Sequence, residues 1–217
     1  MKTDAQLQQD VMAELKWEPA VHAAQIGVEV KDGVVTLAGE VSSYSEKWNA
    51  ERAAQRVSGV KALAVEMKVK LSEFGKRTDA DIAESAKNVL CWTTSLPEDA
   101  VKVLVEGGWL TLSGNVEWQY QRQDAVDKVR DLQGVIGVSN QIAIKPSLSA
   151  TIVKSDIEAA LKRRAAADAK TITVEVKGSD VTLTGTVHSW AERDLAARSA
   201  WGTAGVRSVV DKMNLVY

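Results

Sequence analysis

Gly108-Trp-Leu-Thr-Leu-Ser-Gly-Asn-Val116 decides the fold, because the chain contains this stretch three times. Gly33-Val-Val-Thr-Leu-Ala-Gly-Glu-Val41 and Ser179-Asp-Val-Thr-Leu-Thr-Gly-Thr-Val187 align with it without gaps. Self-similarity of this kind marks a tandem array. Within each copy, apolar residues such as Val35, Leu37 and Val41 alternate with polar ones, which is the period of a strand. Just upstream lie three more alternating runs: Ile26–Val30, Val101–Val105 and Ile172–Val176. Asp32-Gly33, Gly107-Gly108 and Gly178-Ser179 join the paired runs. Such dipeptides favour the positive φ of a tight hairpin turn.

Each hairpin is preceded by a helical pattern. Leu7, Val11 and Leu15 fall four apart, as do Ile82, Ala86 and Leu90, and Ile157 and Leu161. That spacing places them on one face. Thr3/Asp4 and Thr78/Asp79 suit the N-caps, with Ser155 or Asp156 in the third copy. A second helix is expected through Glu46–Arg56, Arg122–Arg130 and Glu192–Ser199, stopped by Gly59, Gly134 and Gly205 in the left-handed conformation. A last strand follows, as in Val60…Leu63…Met67…Val69.

The expected class is therefore α+β: three αββαβ modules, each a three-stranded mixed sheet covered on one face by two helices. The repeats are placed at 1–71, 77–146 and 151–217, with linkers at Leu71–Arg77 and Pro146–Thr151. A unit of about seventy residues buries only about 60% of the surface its unfolded chain exposes. The repeats are thus expected to pack on one another or on a partner, through the open sheet face. Gly39, Gly114 and Gly185, inside strands, are expected to mark a bulge or a close backbone approach, with the second helix as the neighbour.

Composition is that of an ordinary soluble protein, 45% hydrophobic and 26% charged with a net charge of −2, so nothing asks for nucleic acid. Residues 149–217 are the only repeat with more Lys and Arg than Asp and Glu. The N-terminus lacks the apolar core of a secretory signal, and no run is long enough for a membrane span. The chain reads as cytoplasmic as it stands, and as periplasmic if a signal once preceded it.

The pattern Gly-x-Val-x-Leu-x-Gly-x-Val, a charged helix, then Gly134-Val-Ile-Gly-Val-Ser-Asn-Gln-Ile-Ala-Ile144 resembles the BON domain, named for bacterial OsmY and nodulation proteins. The resemblance covers essentially the whole chain. It implies a small αββαβ binding module without catalysis. Members of that family occur in osmotic-shock-induced periplasmic proteins, in outer-membrane lipoproteins that bind anionic phospholipid, in secretins and channels, and in a potassium-binding cytoplasmic protein.

No catalytic, cofactor or metal constellation is expected. Cys91, followed by Trp92 at a helix end with no histidine near it, reads as a buried or half-buried structural thiol. His22 and His188 are too few for a zinc site of nitrogen and sulfur ligands. The glycines have hairpin spacing, not phosphate-loop spacing.

The seven tryptophans are distinctive against one phenylalanine. Trp92, with Trp17 at the same place in the first copy, ends a first helix. Trp48, Trp118 with Tyr120, and Trp190 stand at the start of the second helices. Lys47, Arg122 and Arg193 align with one another beside them. A cation at a helix start opposes the macrodipole, so a carboxylate is expected nearby, with Glu46 and Glu192 as candidates. Two readings stay open: packing with surface ion pairs, or a rim of Trp/Tyr and Lys/Arg that binds phospholipid headgroups or a protein partner. Trp201 reads as core. The partners considered are anionic phospholipid or envelope proteins and, as the alternative function, a monovalent or divalent cation held by backbone carbonyls, which would leave no side-chain signature.

Overall fold

The computed structural model describes residues 2–145, 157, 159, 172–203 and 205–216. The first repeat runs α1 (Asp4–Trp17), β1 (Ile26–Lys31), β2 (Val34–Val41), α2 (Tyr44–Arg56) and β3 (Ala62–Val69). The second runs α3 (Asp79–Cys91), β4 (Val101–Glu106), β5 (Trp109–Val116), α4 (Gln119–Arg130) and β6 (Gly137–Ile144). The third contributes β7 (Ile172–Lys177), β8 (Asp180–Val187), α5 (Trp190–Trp201) and β9 (Ser208–Leu215). Of its expected first helix only Ile157 and Ala159 are described, and both are helical; Leu161, Ser155, Asp156 and the 146–151 linker lie outside the described residues.

Each repeat forms its own three-stranded sheet with the second strand in the middle. The hairpins are antiparallel, closed by Lys31↔Val34, Glu106↔Trp109 and Lys177↔Asp180. Their two-residue loops use the positive φ they require: 53° and 80° at Asp32 and Gly33, 57° and 80° at Gly107 and Gly108. In the first and third repeats the crossover through the second helix returns the last strand parallel, with Val34↔Ala62 and Asp180↔Ser208 opening the registers. This is the expected mixed sheet.

One face of each sheet carries the core. Leu7, Val11 and Leu15 of α1 and Ala50, Ala53 and Ala54 of α2 bury against Val35, Leu37 and Val41. Ile82, Ala86, Leu90, Ala125 and Val129 do the same over Leu110 and Leu112 in the second repeat, and Ile157, Ala196 and Ala200 over Val181 and Leu183 in the third. Alanines on the second helix let it lie close to the strands.

The caps go further than expected. Thr3 and Thr78 are N-caps with reciprocal boxes to Gln6 and Asp81. The residue after each cap reaches across to the hairpin. Asp4 accepts from the N–H groups of Asp32 (2.8 Å) and Gly33 (3.1 Å). Asp79 accepts from those of Gly107 (2.7 Å) and Gly108 (2.8 Å).

Two glycine expectations need correction. Gly39 and Gly114 have φ of +136° and +133°, and a Cβ there would run into the carbonyl oxygens of Gln25 and Ala100. The close neighbour is the backbone leading into the first strand, not the second helix. Gly59, Gly134 and Gly205 do have positive φ, but α2 ends at Arg56 with its cap at Val57. Gly59 is instead the third residue of the turn closed by Val60 N–H on the Val57 carbonyl, and Gly134 and Gly205 repeat this with Leu132–Val135 and Thr203–Val206.

The chain divides into two compact units, Met1–Gly114 with Gln123–Ile142, and Asn115–Arg122 with Ala143–Tyr217. Within the first unit, repeats 1 and 2 meet. Arg130 stacks 3.8 Å from the centre of the Trp48 ring, with Arg52 at 5.1 Å. Ser45 Oγ donates to Asp131 at 2.7 Å. Burial, with Glu51 beside it, pushes the Tyr44 phenol up although its oxygen bonds the Val138 backbone. These contacts come from α2, the end of α4 and the edge of β6. The open sheet face, expected to serve this purpose, takes no part in them.

Candidate functional site

Cys91 is exposed, contrary to the expectation of a buried or half-buried residue. Ile82, Ala86 and Leu90 define the covered face of α3, and Cys91 is turned about 100° from Leu90 by one further residue. Among the described residues no group of three or more His, Cys, Asp or Glu is arranged to hold a metal ion. No helix among them is long and apolar enough to cross a membrane.

The position five residues after each strand-ending valine organises the loop at the start of the second helix. Glu46 is buried at 4% exposure. Its Oε2 accepts from Ser42 N–H (2.8 Å) and Ser42 Oγ (2.7 Å), and its Oε1 from His22 N–H (2.7 Å) and His22 Nδ1 (2.8 Å). Burial acts to raise its pKa, but these bonds outweigh it and hold the carboxyl below its ordinary value. In the second repeat Gln121 takes the same place and accepts from Glu117 and Trp118 N–H, both at 3.0 Å. Glu192 accepts from His188 N–H at 2.7 Å in the third. Glu46 and Glu192 therefore cap loops and do not serve the aligned cations.

Those cations find other partners. Lys47 Nζ donates to the Met67 carbonyl at 3.0 Å. Arg193 pairs with Asp211 at 2.6 Å and lies 5.3 Å from the Trp190 ring. Arg122, whose guanidinium burial pushes below its ordinary pKa, lies 5.5 Å from the ring of Trp201 within the second unit. Trp201 is half-buried and packs against the core of the third repeat. Trp48 contacts Arg130 and Arg52 as described, and Trp118 and Trp190 are half-buried. Of the eight rim residues, Lys47, Trp48, Arg122 and Arg193 are engaged inside the protein. Trp92 and Tyr120 face solvent, at 86% and 55% exposure.

The structure adds a partner to Trp92. Trp17, at the same point of α1, is 83% exposed and borders a shallow groove with Lys2, Asp10, Glu14 and Arg56. Arg56 is fixed there by Glu14 (2.9 Å) and Glu18 (2.8 Å). Phe74, in the linker, is also open to solvent. The orientation of both tryptophans has a sequence signal: each lies two residues beyond the last core position, Leu15 or Leu90, hence about 200° around the helix from it. Two large rings are thereby presented outward by equivalent positions of two repeats.

The sequence of the chain has recognisable relatives. The model of the BON domain matches residues 3–70, 78–146 and 149–217. The chain is similar to osmotically-inducible protein Y of Escherichia coli (strain K12), with 30% identity over 139 residues, 60% of this chain and 69% of that protein. Two solved structures of CdsD, a structural protein of the type III secretion system of Chlamydia trachomatis, also align. One has 15% identity and a TM-score of 0.25 and covers 96% of this chain and 91% of that one. The other, of the C-terminal domain, has 14% identity and a TM-score of 0.26 and covers both chains fully.

Proposed function

The chain belongs to the BON domain family, three times over, and from that premise we propose that it is a non-catalytic protein of the osmotic-stress response that docks on phospholipid surfaces. The observation that carries the reading is the pair Trp17 and Trp92, each more than four-fifths exposed at the same position of its repeat. An indole has an apolar body and a polar N–H, which suits the boundary between headgroups and acyl chains. Burying one indole removes about 150–250 Å² of surface. At about 25 cal/mol per Å² the upper limit is about 4–6 kcal/mol per ring, enough for reversible attachment. The net charge of −2 gives no strong electrostatic anchor, so the rings must supply most of the attraction. The similarity to an osmotically inducible protein supplies the physiological setting.

Co-sedimentation with phosphatidylglycerol-containing vesicles tests the proposal. The full chain is expected to pellet with vesicles at low salt, with a blue shift in tryptophan emission. The double variant Trp17→Ala/Trp92→Ala is expected to stay in the supernatant while keeping its melting temperature. A wild-type chain that ignores these vesicles at low salt removes the lipid reading.

A further inference from the structure

The open sheet face of the middle repeat differs from the other two, and we propose that it is a stacking platform for a neutral, hydroxyl-rich carbohydrate chain. This surface is separate from Trp17 and Trp92, and the proposal goes beyond the lipid reading. Trp109 begins β5 on the face opposite the core and is 50% exposed. Its ring lies across Gly137 at the start of β6, where any Cβ would overlap the ring carbons. Gly137 is buried beneath it. The glycine makes room for the indole to lie against the sheet and leaves its outer surface to solvent. Leu104, 56% exposed, stands one diagonal step away, opposite Thr111.

The aligned positions elsewhere carry no such platform. In the first repeat they are Glu29, Val34 and Ala62, and in the third Glu175, Asp180 and Ser208. There Ser208 Oγ donates to Asp180 at 2.6 Å, closing the space with polar groups.

The chemistry around Trp109 selects the occupant. Thr111 and Ser113 of β5 and Ser139 and Gln141 of β6 continue this face away from the ring as hydroxyls and an amide, while on β4 Glu106 stands directly opposite Trp109 and Lys102 opposite Ser113. None of the four makes a side-chain hydrogen bond among the described residues. A neutral polyhydroxyl ligand matches both halves of this surface. Its axial C–H groups meet the negative face of the indole, and its hydroxyls meet the uncharged donors and acceptors. An anionic ligand would meet the Glu106 carboxylate directly across from the ring, with Lys102 four residues further along β4. A second copy of the chain would find too little apolar surface. Half-exposed Trp109 and Leu104 together offer on the order of 200 Å², against about 800 Å² per partner in a stable complex.

The test is calorimetric titration of the full chain with chitotetraose, cellotetraose and maltotetraose at low and high salt. Saturable binding of at least one is expected, little changed by salt. Trp109→Ala should weaken it about tenfold or more, Trp109→Tyr should restore most of it, and Trp92→Ala should leave it unchanged. Vesicle co-sedimentation of Trp109→Ala should match the wild type. Failure to bind any of the three sugars overturns the proposal, as does binding that Trp109→Ala leaves intact. A concentration-dependent dimer in light scattering that Trp109→Ala abolishes also overturns it, and assigns the face to self-association.

Discussion

Five positions past the hairpin valine the first repeat has Glu46 and the second has Gln121. Both bind the loop ahead of the second helix, but Glu46 also reaches a second loop through His22, whereas the position aligned with His22 in the second repeat is Pro97, which has no N–H to give. The outer sheet faces diverge more, with Glu29 and Val34 in one repeat and Leu104 and Trp109 in the other. The inner geometry hardly changes: Asp4 and Asp79 hold their turns alike, and Gly39 and Gly114 share a φ within 3°. Positions that close the backbone are thus held in common. Positions that meet solvent or loops are where each repeat acquires its own character.

The largest expected effect tests the common part. Gly39→Val and Gly114→Val each place a Cβ on a carbonyl oxygen at a φ that L-residues resist. Each is expected to cost about 4 kcal/mol or more, or to prevent folding of its repeat. An unchanged melting temperature for Gly114→Val would break the equivalence of the two sites.

Glu46→Ala strands four donors and is expected to cost about 2–4 kcal/mol, against about 1–2 kcal/mol for Gln121→Ala, by chemical denaturation. The difference also appears in acid. The folded pKa of Glu46 lies below its unfolded value. Its stabilisation is therefore present above the unfolded carboxylate pKa and is lost as pH falls through the folded one. A pH series of melting temperatures should show this loss flattened in Glu46→Gln. Gln121→Glu should not reproduce it in full, because Pro97, aligned with His22, has neither a backbone N–H nor an imidazole nitrogen to donate.

Asp79→Ala removes two backbone hydrogen bonds at the second hairpin and is expected to cost about 1–2 kcal/mol by thermal unfolding. Asp4→Ala should match it; a clear inequality would show that the turns are not held alike. The smallest effect concerns the contact between repeats 1 and 2. Trp48→Leu loses the stacking with Arg130 and Arg52 and is expected to cost about 1 kcal/mol in denaturant titration.

Local order explains what could be read from the chain. The hairpins follow from alternation interrupted by Asp-Gly or Gly-Gly, and the first helices from apolar residues four apart. Each is a relation between residues a few positions away from one another. Gly39 and Gly114 were legible as close approaches, but the approaching backbone was not, since the strand register decides it. Cys91 and Trp92 follow Leu90 directly, so their outward direction was implicit in the same periodicity that placed Leu90 inside. Glu46 joins His22 to Ser42, and Trp48 meets Arg130 of the next repeat. Both contacts depend on where separate segments come to rest, which no local pattern encodes. The candidate rim divided for this reason: its cations were drawn to Met67, Asp211 and Trp201.

The aspartate at the start of the first helix has a consequence in time as well as in space. Asp4 and Asp79 each reach a turn 28 residues away. Closing such a loop is entropically modest, because the cost grows only with the logarithm of its length. The helix and hairpin of the first two repeats can therefore come together as a contiguous half, before the long crossover delivers the third strand. Each of the first two modules thus carries, in one aspartate, the means to organise half of itself without reference to the rest of the chain.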